Sequence, residues 1–134
     1  MILLDTNICI YVINNKPPEV FSRFRQFALG EIGISSVVAA ELAFGAAKSA
    51  SARNRQALEV FFAPLEILPF DEAAVWAYGD LRADLERRGE SIGSLDTMIA
   101  AHALSLNALL VTNNTREFAK VKGLRLDNWV GAEG

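Results

Sequence analysis

The chain has 134 residues, of which 51% are hydrophobic, and this length can bury a hydrophobic core, so we expect one domain over residues 1–134. A formal net charge of −3 argues against a strongly basic protein that coats nucleic acid, although a cluster of catalytic acids would also lower the net charge. No apolar run approaches the roughly 20 residues of a membrane span, and the only cysteine, Cys9, fits a reducing compartment, so we expect a cytoplasmic protein without a membrane partner.

Short apolar segments alternate with segments of helical periodicity along the chain. This alternation is typical of an α/β fold, in which a central, mostly parallel sheet of about five strands is flanked by helices. In chain order the sequence predicts a strand at 2–5, helices at 7–13 and 18–29, a strand at 32–35, helices at 37–48 and 52–62, a strand at 66–69, helices at 72–88 and 95–106, and strands at 108–111 and 124–126.

Helix boundaries are indicated by residues that favour N-caps. Ser36, Asp71 and Ser94 each precede a predicted helix and have side-chain oxygens that can accept a hydrogen bond from its first turn. The helix at 72–88 also carries apolar residues at helical spacing, which we expect to be buried. They are Val75, Tyr78, Leu81 and Leu85.

Polar residues follow several of the predicted strands. Asp5 ends the first strand, Ser35 and Ser36 end the second, and the segment 112–114 follows the fourth. Ligands of open parallel sheets bind beyond the carboxyl ends of the strands. The sequence therefore predicts a polar site at one edge of the sheet.

Three carboxylates, Asp5, Glu41 and Asp96, interrupt segments that otherwise form the core. An isolated carboxylate is costly there, and carboxylates brought together repel each other unless a cation offsets their charge. Each also has a structural explanation to weigh: Asp5 can cap the helix that follows, and Asp96 lies where a helix dipole favours negative charge. Taken together, they favour a metal site.

The composition of this predicted site favours a hard ion. Oxygen ligands without cysteine indicate Mg²⁺, for which Mn²⁺ can substitute, rather than zinc. The single histidine, His102, lies in an apolar helix and is expected to be a packed core residue. Other polar residues can orient the acids or simply form caps and turns; they are Thr6, Ser35, Ser36, Thr112 and Asn114.

Four segments, in order and spanning nearly the whole chain, resemble PIN-domain ribonucleases, above all the VapC toxins of type II toxin–antitoxin pairs. They are Leu4–Asn7, Ile34–Ser36 with Ala40–Leu42 and Gly45, Ile92–Ala103, and Leu110–Phe118. The resemblance implies a three-layer PIN fold and a Mg²⁺-dependent endoribonuclease that cleaves structured RNA, such as a tRNA loop, with metal-activated water. It also implies a homodimer and a cognate VapB-like antitoxin that covers the site.

Site residues follow from the same resemblance. Asp5, Glu41 and Asp96 match the acidic cluster of the family, and Asn114 occupies the position of a frequent fourth acid. We expect Asp5 and Asp96 to be the main metal ligands, with Glu41 and Glu117 as contributors through water. Because asparagine adds no charge at position 114, we expect one well-held ion.

Two other functions are compatible with the sequence. One is a DNA-directed or regulatory PIN-like protein whose partner binds DNA, and the other is a binding module with a degenerate site. The intact Asp5, Glu41 and Asp96 argue against the second of these.

Overall fold

Strands and helices alternate in the computed structural model, which describes residues 1–28 and 30–131. In chain order the elements are β1 (Ile2–Leu4), α1 (Thr6–Asn14), α2 (Pro18–Phe24), β2 (Ile32–Ser35), α3 (Ser36–Ser49), α4 (Ala52–Phe62), β3 (Glu66–Leu68), α5 (Glu72–Arg87), α6 (Ser94–Leu106), β4 (Leu109–Val111), α7 (Thr115–Phe118) and β5 (Arg125–Asp127).

The five strands form one sheet in the order β3-β2-β1-β4-β5, and every neighbouring pair is parallel. The predicted α/β fold with a five-stranded parallel sheet between helices is therefore confirmed. The first strand, β1, lies at the centre of the sheet between β2 and β4. As a result, the carboxyl ends of β1, β2 and β4 meet along one edge, which is where the polar residues predicted from the sequence lie.

The core lies between the central strands and the apolar helices. Leu3 and Leu4 of β1 and Leu110 of β4 are almost fully buried, and α6 adds the buried apolar residues Ile99, Ala100, Ala101 and Ala103. Helix α6 packs against α5, and among the described residues no helix is long and apolar enough to cross a membrane.

One predicted helix ends earlier than expected, and one short observed helix was not predicted. Helix α2 ends at Phe24 rather than near residue 29, which itself lies outside the described residues. Leaving the helix early lets the Phe27 ring stack on buried Trp129, at 5.7 Å between ring centroids. The short helix α7 is absent from the sequence prediction because its four residues are too few for periodicity to show.

Only part of the predicted stripe on α5 is buried. Leu81 and Leu85 are in the core, together with Ala74, whereas Val75 is 52% exposed. Trp76 beside it is 68% exposed. The helix is thus rotated so that Ala74 rather than Val75 faces the core, and the stripe prediction was wrong at Val75.

The N-caps are shifted by one residue at two helices. Asp71 caps α5 as predicted, accepting a hydrogen bond from the Ala74 amide. At α3, however, the cap is Ser35, whose Oγ accepts from the Val37 amide, while Ser36 Oγ accepts from the Phe70 amide and links α3 to the segment after β3. Gly93 takes the cap position of α6, where Ser94 was predicted, and makes no side-chain bond there.

Candidate active site

A cavity of about 250 Å³ lies at the edge of the sheet where β1, β2 and β4 end. Asp5 enters it directly from β1, Glu41 from α3, Asp96 from α6 and Asn114 from the segment after β4. All four residues expected at the site therefore face one space. The complete lining is Asp5, Thr6, Asn7, Glu41, Leu95, Asp96, Ile99 and Asn114.

Asp5 is the most firmly fixed of these side chains and is only 6% exposed. Its Oδ1 accepts a hydrogen bond of 2.8 Å from the Thr6 amide and so caps α1. Its Oδ2 accepts a bond of 2.7 Å from the Thr112 hydroxyl. The capping role considered for Asp5 is thus real, but it uses one oxygen and leaves the carboxylate facing the cavity.

Glu41 is positioned by its helix, and its side chain makes no hydrogen bond or ion pair with any other described residue. Helix α3 begins at the Ser35 cap, and Ser35 Oγ also lies 2.7 Å from Nδ1 of His102. His102 is 1% exposed and packs edge-on against the Phe70 ring. The expectation that His102 is a core residue is confirmed: it supports the start of the helix that carries Glu41.

Asp96 lies in the first turn of α6 and is half-buried. Burial raises the pKa of its carboxyl group, and the negative charges of Asp5 and Glu117 raise this pKa further. The side chain is thus electrostatically disfavoured as an anion, although the N-terminus of a helix favours it. A positive ligand in the cavity would remove this disadvantage.

Asn114 and Glu117, the two residues considered for the fourth acidic position, are placed differently. The backbone N–H of Asn114 donates a hydrogen bond of 3.0 Å to Thr112 Oγ1, and Asn114 lines the cavity. Glu117 lies outside the cavity lining and pairs with Lys120, whose Nζ is 3.3 Å from Oε1. Glu117 therefore acts on the cavity through its charge, part of which Lys120 offsets.

The residues of the cavity fit a hard divalent ion that keeps some of its water. Its lining offers carboxylate, hydroxyl and amide oxygens, with no lysine, arginine or histidine among the described residues to neutralise the acids. Within residues 1–28 and 30–131, no three Asp, Glu, His or Cys side chains are close enough to hold one ion alone. Mg²⁺ is typically bound by one or two carboxylates plus several waters, which suits this spacing.

Three lining residues, Asn7, Leu95 and Ile99, were not proposed as site residues from the sequence. Each lies close in the chain to an acid that was: Asn7 is in the first turn of α1 after Asp5, Leu95 precedes Asp96, and Ile99 follows Asp96 by three residues in α6. The sequence could not show which of these side chains is exposed. Leu95, for example, is apolar and so would be expected in the core, but it is 43% exposed. Of the proposed orienting residues, Thr112 contacts an acid directly, whereas Ser35 and Ser36 serve α3.

Known proteins resemble this chain over nearly its whole length. The PIN domain family matches residues 2–124. The tRNA(fMet)-specific endonuclease VapC of Shigella flexneri is 47% identical over 128 residues, which cover 95% of this chain and 96% of that protein.

Solved structures show the same relationship. The DNA-bound VapBC of Salmonella typhimurium matches with a TM-score of 0.90 and 43% identity, covering 96% of this chain and 97% of that one. VapBC2 of Rickettsia felis, bound to a DNA fragment from its promoter, matches with a TM-score of 0.89 and 43% identity, covering 96% and 99%.

These likenesses agree with the four segments noted in the sequence and with the acidic cavity that those segments form. Membership in the family also implies dependence on a divalent metal ion. The chain belongs to the PIN-domain family, and within it to the VapC ribonucleases.

Proposed function

We propose that this protein is the toxin of a type II toxin–antitoxin pair and cleaves a structured RNA in a reaction that depends on Mg²⁺, with Mn²⁺ as a substitute. The observation that carries this proposal is the convergence of Asp5, Glu41, Asp96 and Asn114 on one cavity at the carboxyl edge of the sheet. Such an oxygen-lined cavity fits a hard ion and a phosphate group.

The four residues have distinct proposed roles. Asp5 and Asp96 hold the ion, since Asp5 is fixed by two hydrogen bonds and the pKa of Asp96 is raised by burial and then by neighbouring negative charge. Glu41 orients the attacking water by accepting a hydrogen bond from it. Asn114 offers its side-chain amide oxygen or N–H group to the hydration shell of the ion or to the phosphate. Glu117 contributes through water and through its charge.

A divalent ion in such a site supplies activation of water and neutralises negative charge on the phosphate. The protein has to bring the scissile phosphate within reach and to keep Glu41 free to accept a proton from water. The rigid attachment of Asp5 to both α1 and Thr112 serves the first need, because it fixes the cavity floor relative to two elements.

The substrate we propose is a tRNA loop, and the tRNA(fMet)-specific relative supports initiator tRNA as the first RNA to test. Loops of RNA splay their bases and bend the backbone, so that a phosphate can enter a cavity at the protein surface. Because tRNA is found in the cytoplasm, we expect the protein to act there.

A cognate VapB-like antitoxin is the proposed protein partner. The similar structures are complexes named VapBC, and we expect the antitoxin of this chain to cover the acidic cavity and inhibit cleavage. We also propose a homodimer, which is supported by the exposed apolar pair Val75 and Trp76 on α5. Light scattering of wild type and Trp76→Glu tests the dimer.

Cleavage assays with labelled initiator tRNA and labelled DNA, each with and without Mg²⁺, test the enzymatic proposal. We expect cleavage of RNA only with metal, and a loss of more than about 100-fold in Asp5→Asn and Asp96→Asn, since even residues that only orient ligands are worth 10–100-fold. Asp80→Asn, the same change at an exposed position of α5, is the matched control and should retain activity.

The same assays separate the alternatives. Metal-dependent cleavage of DNA but not RNA would favour the DNA-directed function. Binding of RNA without cleavage of either nucleic acid would favour a degenerate binding module. Activity in both aspartate variants would contradict the proposed site.

A further inference from the structure

A second cleft, of about 500 Å³, adjoins the acidic cavity. The two share Thr6 and Glu41 as common lining residues, so one opens into the other. The cleft lies between α1, α3 and α4. Its lining includes Ile10, Asn14, Gly45, Ala46, Arg53 and Asn54.

The wall of the cleft next to the acidic cavity is apolar and open. Ile10 on α1 is 40% exposed, and α3 contributes the half-buried Ala46 above the buried Leu42, which is 7% exposed. Gly45 lies between them on α3, and a Cβ atom placed on it would meet no other atom within 4 Å. The missing side chain therefore widens the cleft. A flat apolar ring of a ligand could lie against this wall.

The far wall of the cleft is positively charged and polar. Arg53 and Asn54 from α4 line it, with Asn14 from the end of α1. Arg53 forms no ion pair with any described carboxylate, whereas Arg55, two residues further, pairs with Glu59 at 3.2 Å. The guanidinium of Arg53 is thus available to a ligand, and its planar group is suited to phosphate.

Along the cleft, three features therefore follow one another in space: the acidic cavity, an apolar wall and an arginine without an ion pair among the described residues. A nucleotide next to the scissile phosphate offers the matching chemistry, with a base that packs on apolar groups and a second phosphate that an arginine binds. The two asparagines can accept and donate hydrogen bonds to a base edge. A volume of about 500 Å³ is within the roughly 300–1,000 Å³ typical of small-ligand sites.

We propose that this cleft binds the nucleotide that flanks the scissile phosphate of the RNA, with its base against Ile10, Gly45 and Ala46 and its outer phosphate on Arg53. This inference rests on the proposed ribonuclease function and adds a substrate subsite to it. Arg53 is a binding and positioning residue here, because it lies beyond the acidic cavity.

Binding to RNA without cleavage tests the subsite. Fluorescence anisotropy with a labelled single-stranded RNA of the anticodon-loop sequence, in EDTA and with Asp96→Asn as the parent, measures affinity alone. We expect Arg53→Ala to raise Kd about tenfold, as loss of a charged phosphate contact does, and to reduce the salt dependence of log Kd by about 0.7. Arg55→Ala is the control and should change Kd by less than about twofold.

Removing charge from the RNA locates the contact. Neutral methylphosphonate linkages, introduced one position at a time, should weaken binding by the parent at one position next to the cleavage site. At that position Arg53→Ala should lose nothing further, because the two changes remove the same interaction. Independent, additive losses at every position would overturn the assignment of Arg53 to that phosphate.

Filling the apolar wall is a second test. Gly45→Leu places a side chain in the open space of the cleft and should weaken RNA binding severalfold without loss of thermal stability, since leucine favours a helix more than glycine does. Gly45→Ala, with the same backbone change and a smaller side chain, should bind nearly as the parent does.

Two outcomes would overturn the inference. One is equal RNA affinity in Arg53→Ala, Gly45→Leu and the parent. The other is normal RNA affinity in these variants with weakened inhibition by the antitoxin, which would make the cleft a protein-binding groove. Failure of the proposed function is a separate result, seen as absence of metal-dependent cleavage by the wild type.

Discussion

The Thr112 hydroxyl donates a hydrogen bond of 2.7 Å to Oδ2 of Asp5, and so joins the end of β4 to the end of β1 across 107 positions of the chain. The same Thr112 oxygen accepts a hydrogen bond from the backbone N–H of Asn114. One hydroxyl therefore sets the orientation of a proposed metal ligand and of the segment that carries another lining residue. This arrangement explains why a buried threonine follows a strand of the core.

Replacing Thr112 by valine should leave Asp5 Oδ2 without its donor in a buried setting. We expect the free energy of unfolding to fall by about 1–3 kcal/mol, and cleavage to fall by about 10–100-fold, as for other residues that orient metal ligands. Thr112→Ser keeps the hydroxyl and should lose much less of either. Urea unfolding and cleavage rates measured on the same preparations decide this, and equal activity in both variants would contradict it.

Asp96 should trade stability for function. Since burial and the charges of Asp5 and Glu117 raise the pKa of its carboxyl, ionised Asp96 destabilises the fold, and this cost appears as the pH rises through the ordinary value of 3.8 toward the raised one. Asp96→Asn should therefore melt at a higher temperature than wild type in EDTA near neutral pH, and the difference should shrink as the pH falls toward 4.

Excess Mg²⁺ provides the control for Asp96. Because metal binds the folded wild type, it should raise the melting temperature of wild type more than that of Asp96→Asn. A variant that melts lower than wild type in EDTA would indicate that the helix N-terminus outweighs repulsion at this position.

The sequence predicted the parts of this fold that depend on local pattern. The alternation of apolar segments with helices was enough for the parallel sheet, and Asp5, Glu41 and Asp96 were identifiable because acids are costly within core segments. Details set by contacts between distant segments were not accessible. The Ser36 hydroxyl, for example, was predicted to cap α3 but bonds to the Phe70 amide, 34 positions away.

His102 should make the fold sensitive to mild acid. Burial lowers the pKa of the imidazole below its ordinary 6.5, an effect that Asp71 and a hydrogen bond with the Pro69 backbone partly offset. The fold thus favours neutral His102. The contribution of this residue to the free energy of unfolding is fully present above about pH 6.5 and is lost as the pH falls from there toward the lowered pKa. Between pH 7.5 and 5, wild type should lose more unfolding free energy than His102→Gln. Parallel pH slopes would assign the acid sensitivity elsewhere.

Cys9 should be chemically inert in the folded protein. It is fully buried in α1, and burial, followed by the negative charge of Asp5, raises the pKa of its thiol well above the ordinary value. Since the thiolate is the reactive form, we expect alkylation by iodoacetamide near pH 8 to be slowed by a factor on the order of 100 or more relative to the unfolded chain. Mass spectrometry in the presence and absence of urea measures both rates, and comparable labelling would show that α1 opens readily.

The final prediction concerns the number of ions and the charge at position 114. Asn114 lines the cavity and carries no charge. Glu117 lies outside the lining, and its negative charge is partly offset by the salt bridge with Lys120. We therefore expect calorimetric titration of wild type with Mn²⁺ to show one tight ion. Asn114→Asp adds a carboxylate inside the cavity and should strengthen binding of a second ion, because hard cations favour additional oxygen charge. Glu117→Gln should have a smaller effect than Asn114→Asp, because the carboxylate of Glu117 acts from outside the cavity.

If Glu117 instead supplied the missing charge directly, Glu117→Gln would be the damaging change and Asn114→Asp would alter little. Two equally tight ions in wild type, unaffected by Glu117→Gln, would contradict both versions, and would mean that Asp5, Glu41 and Asp96 suffice for two ions.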